Sequence, residues 1–314
     1  MESDSYILVI GGTNMDIGAR PFGTLQPHDS LPGAVAKTPG GVGRNIAVSL
    51  AQLGHRVIML TAVGNDADGR ELLSLGESAG LDLSHARVLD DAPTSLYIYV
   101  SDGKGEIQWA VCDASASDRI DRSYLAENAD LIRGAAAVLM DTNPPESAIV
   151  YAAETAAETG VPFFVDPISA AKATKIRSIL PFITAIKPNK AEAQVLYGRP
   201  LLTKANAEEA VISLLGNGVG EVYLTLGKEG GVAADSEENL IYLPGYARHL
   251  VNSSGCGDAF ISAVVHAYLQ GKDVEGKAKA GVAASSISME TRSAVNPALT
   301  AKGLEDRMQQ IDNL

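Results

Sequence analysis

The stretch Val251-Asn252-Ser253-Ser254-Gly255-Cys256-Gly257-Asp258-Ala259-Phe260 carries the residue types of an anion site. Two glycines bracket a small residue and an aspartate follows. Phe260, Ala263, Val264, Ala267 and Tyr268 then recur at helical spacing. Such a segment is a tight turn opening directly into a helix, whose bare first-turn N–H groups and positive end attract an anion. The carboxylate of Asp258 would sit in that first turn, where it meets whatever approaches the anion. A phosphate cradle with a base beside it suits phosphoryl transfer to an alcohol. Taken alone, the same residues also suit a glycine-rich loop in which Asp258 merely caps the helix.

Other polar residues fall where a ligand would be held. Tyr6 to Ile10 is an apolar, β-rich run ending at Gly11-Gly12, with Thr13-Asn14-Met15-Asp16 at its exit. Ligands of open α/β sheets lie beyond the carboxyl ends of strands, which places Asn14 and Asp16 well, although both are also ordinary turn formers. Thr38-Pro39-Gly40-Gly41-Val42-Gly43-Arg44-Asn45 leads into Ile46, Ala47, Leu50 and Leu53, a helical stripe stopped by Gly54. Gly41-Val42-Gly43 looks superficially like a dinucleotide fingerprint, but that motif needs a strand directly before it, and Lys37, Thr38 and Pro39 offer no apolar run. The glycines suit close approach of the backbone to a small ligand, with Asn45 offering both donor and acceptor. A glycine-rich helix entry with no ligand would look the same.

The elements that must position these residues follow a regular rhythm. Arg56 to Val63 reads as a strand, and Gly64-Asn65-Asp66-Ala67-Asp68-Gly69 as a turn into a helix. Ala135 to Met140, Phe163 to Val165, Ala185-Ile186 and Glu221 to Leu226 read as further strands, with helical segments between most of them. Their exits are Asp141-Thr142-Asn143-Pro144, Asp166-Pro167, Lys187-Pro188-Asn189 and Gly227-Lys228-Glu229-Gly230. Repeated β–α units predict a doubly wound, mostly parallel α/β sheet with helices on both faces, a single domain over 1–314. One interruption stands out. Ser95 to Val100 and Ile107 to Cys112 flank Asp102-Gly103-Lys104-Gly105-Glu106, a β-hairpin signal around 95–112 that suits a small β lid or a dimer contact.

Composition bounds the partners. The 314 residues are 46% hydrophobic and carry a formal net charge of −13, with no run of lysines or arginines. Nucleic acid and anionic membrane surfaces both need a concentrated positive footprint, so neither is expected. A bound polyanion would have to be held by backbone amides, a divalent metal and a few placed cations. Cys112 and Cys256 make no disulfide framework, and no cluster has zinc-site spacing. The acidic start shows no signal-peptide pattern and no apolar run reaches membrane-spanning length, so the expectation is a cytoplasmic protein.

In order, the chain presents Asn14 and Asp16 at a strand exit, Gly-Gly-x-Gly-x-Asn at 40–45, Asn189-x-x-Glu192, Thr225-x-Gly227-x-x-Gly230 and Gly-x-Gly-Asp at 255–258. This order resembles the PfkB (ribokinase-like) family of sugar and nucleoside kinases over essentially the whole chain. The resemblance implies ATP and Mg²⁺ as cofactors and a small-molecule nucleoside or sugar as substrate. It implies Asp258 as general base, with the amides of Gly255, Cys256 and Gly257 as an anion hole. Asn14, Asp16, Gly41, Asn45 and Asn143 would line the sugar site, and Asn189, Thr225, Gly227 and Gly230 the nucleotide site. Glu192 and Asp166 would organise the metal.

Within the family, Thr38 to Ala47, Asp166-Pro167-x-Ser169-Ala170, Lys187-Pro188-Asn189, Asn252 and Asn296-Pro297 are most similar to the pseudouridine kinase branch. That implies phosphorylation of the 5′-hydroxyl of pseudouridine. Ribose, another nucleoside such as adenosine, or a ketose such as fructose are the alternative substrates, and a non-catalytic nucleoside sensor is a rival of another class. Asn252 stands where many relatives carry an aspartate that helps hold a monovalent cation, which argues against strong K⁺ activation. The aromatic-bearing hairpin suits a homodimer.

Overall fold

The computed structural model describes residues 5–25, 28, 30–102, 107–237, 239–247 and 249–312. The acidic lead-in at 1–4 and the hairpin turn at 103–106, both read from the sequence above, lie outside the described residues.

Among the described residues, nine strands form the main sheet. In spatial order they are Leu240–Leu243, Gly231–Asp235, Glu221–Thr225, Ala185–Ile186, Phe163–Asp166, Ala137–Asp141, Ile7–Ile10, Val57–Leu60 and Leu81–Asp82. Every pairing from Glu221–Thr225 to Leu81–Asp82 is parallel, and the first two strands add an antiparallel edge. The central strand explains the double winding. Ile7–Ile10 is wholly buried, with Leu8 and Ile10 in one apolar cluster alongside Ile149 and Ala152, and Ile7 and Val9 in another alongside Ile46 and Phe260. Alternate side chains thus feed opposite faces, each covered by helices, so the strand must be apolar throughout. No helix among the described residues is long and apolar enough to cross a membrane.

A second, smaller sheet has the order Gly33–Gly40, Asn14–Pro21, Leu96–Ser101, Ile107–Asp113. The outer pairings are antiparallel and the central one, Asn14–Pro21 with Leu96–Ser101, is parallel. Three expectations change here. The predicted hairpin is half of a four-stranded sheet. Asn14 and Asp16 lie within one of its strands rather than in a turn. A strand, Gly33–Gly40, does run directly into the glycine-rich turn before the helix Val42–Gln52. It escapes a reading by periodicity because its first six residues are exposed and face no core that would impose an apolar alternation. It belongs to the small sheet, so it does not create the strand-turn-helix unit of a dinucleotide site.

The helices Val42–Gln52 and Cys256–Leu269 pack together through Ile46, Leu50, Phe260, Ile261 and Val264. That contact brings the two glycine-rich helix entries to the same end of the sheet.

Candidate active site

Asp258 lies in the first turn of Cys256–Leu269, after Gly255 at φ 78°. A side chain at 255 would collide with the Ala294 carbonyl oxygen 1.9 Å away, so the turn demands glycine there on both counts. Asn45 Nδ2 donates to Asp258 Oδ2 at 2.9 Å. Asp258 is half-buried, two residues beyond Cys256 and one beyond Gly257, which line a cleft. Burial pushes its pKa up to about 7; the charge of Asp166 adds to this, the Asn45 hydrogen bond and Lys187 oppose it, and Asp141 raises it further. A carboxyl tuned to neutrality is matched to taking a proton from an alcohol near pH 7.

Asn45 is itself oriented. Its Oδ1 accepts from Arg44 at 3.2 Å, which leaves Nδ2 to face Asp258. Arg44 also lies close enough to Asp16 to hold down its pKa, against the larger upward push of burial. Asp16 Oδ1 accepts from Asn14 Nδ2 at 2.6 Å. Asn14, Asp16, Arg44, Asn45 and Asp258 therefore form a continuous polar track from the small sheet to the helix entry. Gly41, at φ 100°, closes that track against the sheet; a Cβ there would meet the Gly12 carbonyl oxygen at 2.4 Å.

The fully buried carboxylate of Asp141 ties the strand exits together. Its Oδ2 accepts from the Gly12 and Gly43 amides and from Asn143 Nδ2, each at 2.9 Å, and its Oδ1 from the Asn143 amide at 2.8 Å. Asn143 Oδ1 in turn accepts from Lys172. The sequence marks Asp141 only as a strand-end residue. Its partners sit 98 and 129 positions away, which no local pattern signals.

On the other side of Asp258, Asn189 and Thr225 are brought together by a parallel bridge. Asn189 caps the helix Lys190–Tyr197 in a full capping box: Glu192 donates its amide to Asn189 Oδ1 at 3.0 Å, and its carboxylate accepts from the Asn189 amide and Nδ2. Thr225, Gly227 and Gly230 line a cleft that also touches Tyr246, Gly257 and Met289. Its mostly apolar wall suits a nucleotide base.

Asp166 ends the strand Phe163–Asp166. Its Oδ1 accepts from the Ile168 amide at 2.9 Å, and its Oδ2 faces the Lys187 ammonium at 3.3 Å. Among the described residues no group of three or more His, Cys, Asp or Glu side chains could hold a metal ion. Glu192 commits both oxygens to Asn189. The donor set does not fit a dedicated protein cage for a metal ion; Asp166 and Glu192 are the residues that would face a magnesium ion brought in on phosphate oxygens. Bound there, Mg²⁺ would supply charge neutralisation on the phosphates.

At the start of the loop, Asn252 Nδ2 donates to the Arg292 carbonyl at 3.1 Å and Asn252 Oδ1 accepts from the Ser254 amide at 3.1 Å. The side-chain amide thus crosslinks two backbone segments with its own donor.

Comparison with known proteins gives a consistent result. The profile of the pfkB family of carbohydrate kinases matches residues 4–301. A pseudouridine kinase of Escherichia coli (strain K12) is 31% identical over 300 residues, covering 96% of this chain and 95% of that protein. An uncharacterized sugar kinase of the same strain is also 31% identical, covering 96% and 83%. Among solved structures, Arabidopsis thaliana ribokinase complexed with ribose and ATP superposes with a TM-score of 0.86 at 22% identity, covering 97% of this chain and 99% of that one.

Proposed function

This chain belongs to the pfkB family of carbohydrate kinases, and we propose that it transfers the terminal phosphoryl group of ATP to the 5′-hydroxyl of pseudouridine. Asp258 is the general base in this reading, and the observation that carries it is its carboxylate, held by Asn45 in the first turn of a glycine-rich helix entry. Ribose hydroxyls are held by Asn14, Asp16, Gly41 and Asn45, with Asn143 on the same wall. The amides at 255–257 receive the transferred phosphoryl, and Asn189, Thr225, Gly227 and Gly230 hold the nucleotide. Asp166 and Glu192 act on the magnesium ion through water.

The choice of pseudouridine rests on the 31% identical relative of that name and on Asn252. Another sugar or nucleoside acceptor is the second reading, since a ribokinase of Haemophilus influenzae is 25% identical over 290 residues and a guanosine-inosine kinase of Exiguobacterium acetylicum 25% identical over 277. A panel of pseudouridine, uridine, inosine, adenosine, ribose and fructose, read by ADP release, decides between them. The highest kcat/KM is expected for pseudouridine, and a higher value for any other acceptor would remove that assignment. Nucleoside binding without ADP formation would instead favour a sensor.

The small sheet suits a lid that doubles as a dimer contact. Its register sets Val35, Ala19, Val100 and Trp109 side by side, and Ile17, Ile98 and Val111 beside them, on the face opposite Asp16 and Tyr97. Val35, Trp109 and Val111 are 71%, 61% and 70% exposed, an apolar face that a second copy of the chain would cover. Light scattering should show a dimer that Val111→Glu converts to monomer; a monomeric parent would contradict this.

A further inference from the structure

The sequence places Lys187 in the Lys187-Pro188-Asn189 strand exit without giving it a role, yet among the described residues it is the one cation buried at the centre of the site. It follows the strand Ala185–Ile186, is only 4% exposed, and is bracketed by Pro188 and the strand, which fix its backbone. A buried ammonium is costly unless it is paired and hydrogen-bonded. Asp166 is its only ion-pair partner among the described residues, and at 3.3 Å that contact leaves Asp166 Oδ2 without a well-formed hydrogen bond. An ammonium carries three donors, so most of its hydrogen-bonding capacity is left over.

The direction of that capacity is set by Gly257. A Cβ at 257 would lie 3.0 Å from Lys187 Nζ, and the next nearest atom would be Lys187 Cε. The absence of a side chain at 257 is what lets the ammonium stand directly beside the amide cradle. The surroundings are otherwise negative, because Asp166, Glu192 and Asp258 all act on Lys187 and Asp141 also acts on Asp258. In a chain of net charge −13, a nucleoside triphosphate entering this corner would meet no other buried cation there among the described residues.

We infer that Lys187 is a further catalytic residue whose ammonium contacts the phosphoryl group in flight, beside the Gly257 amide. The inference rests on the kinase reading above. In the transfer, the acceptor oxygen bonds to the γ-phosphorus as its proton passes to Asp258. The bond from that phosphorus to the β–γ bridging oxygen breaks, and its electron pair leaves with ADP. Lys187 keeps its proton throughout and balances charge on the equatorial oxygens, the kind of contact whose loss costs about 10²–10³-fold in kcat.

The test uses the full-length enzyme with Mg²⁺ and two probes, ADP and β,γ-methylene-ATP, each titrated calorimetrically alongside steady-state kinetics. Lys187→Met should lower kcat about 100-fold or more. Its affinity for β,γ-methylene-ATP should fall about ten-fold or more, as expected for a lost charge-assisted hydrogen bond, while ADP affinity changes little. Lys187→Arg keeps the counter-charge for Asp166 and so guards against a folding defect. It should still lose about ten-fold in kcat, because a planar fork is a poor substitute for a point charge pressed against Gly257. Parental kcat in either folded variant overturns the inference, as does an unchanged ratio of the two probe affinities. If the parent itself binds neither probe and releases no ADP, the kinase reading is what has failed.

Discussion

Asn45 and Asp258 stand 213 residues apart in sequence and 2.9 Å apart in space, with Asn45 Nδ2 donating to Asp258 Oδ2. The contact exists because the helices Val42–Gln52 and Cys256–Leu269 share an apolar seam, so their glycine-rich entries open side by side. A hydrogen bond to the ionised carboxylate favours the charged form and holds the pKa below where burial alone would leave it.

The first expectation concerns pH. A general base acts deprotonated, and burial places the Asp258 carboxyl near 7. Activity should therefore be lost as pH falls through about 7 and level off above it. A profile of kcat/KM between pH 5 and 9 checks this, since kcat/KM reports groups of the free enzyme. A flat profile from pH 5 to 8 would contradict it.

Asn45→Ala removes the donor that stabilises the charged base. The acid limb of that profile should move toward higher pH by about one pH unit, the size expected for a lost hydrogen bond to a charged group. A limb that stays in place while activity falls would assign Asn45 to substrate binding alone.

Asn252→Asp addresses the monovalent cation. In the parent, an amide N–H satisfies the Arg292 carbonyl, so exchanging K⁺ for Na⁺ should alter turnover only within about two-fold. The aspartate variant has no donor at that point and should become K⁺-stimulated. Strong K⁺ activation of the parent would show that the crosslink does not stand in for an ion.

Asp141→Ala tests architecture. It strips a fully buried acceptor from the Gly12 and Gly43 amides and from Asn143, and each unsatisfied group costs roughly 1–3 kcal/mol. A loss of about 3 kcal/mol or more in urea unfolding is expected. A change below about 1 kcal/mol would mean that the strand exits are held elsewhere.

The parts legible in the sequence are those whose environment imposes a local pattern. Ile7–Ile10 is apolar at every position because both of its faces are covered. Gly255-Cys256-Gly257-Asp258 is legible because a tight turn into a helix restricts residue type. Gly33–Gly40 had no such constraint, being exposed over most of its length. Asp141 and Lys187 were hidden for a different reason: each is a plain strand-end residue until distant partners, Gly12 and Gly43 for one and Gly257 for the other, are folded against it. Lys187 did leave one trace, a charged residue closing an apolar strand directly before Pro188-Asn189.

The central claim is that Asp258 takes the acceptor's proton. Asp258→Asn keeps the shape and the acceptor oxygen but removes the base, so kcat with pseudouridine should fall by about 10²–10⁴-fold while ADP affinity, measured by calorimetry, stays close to parental. Turnover near the parental rate in that folded variant would contradict the account.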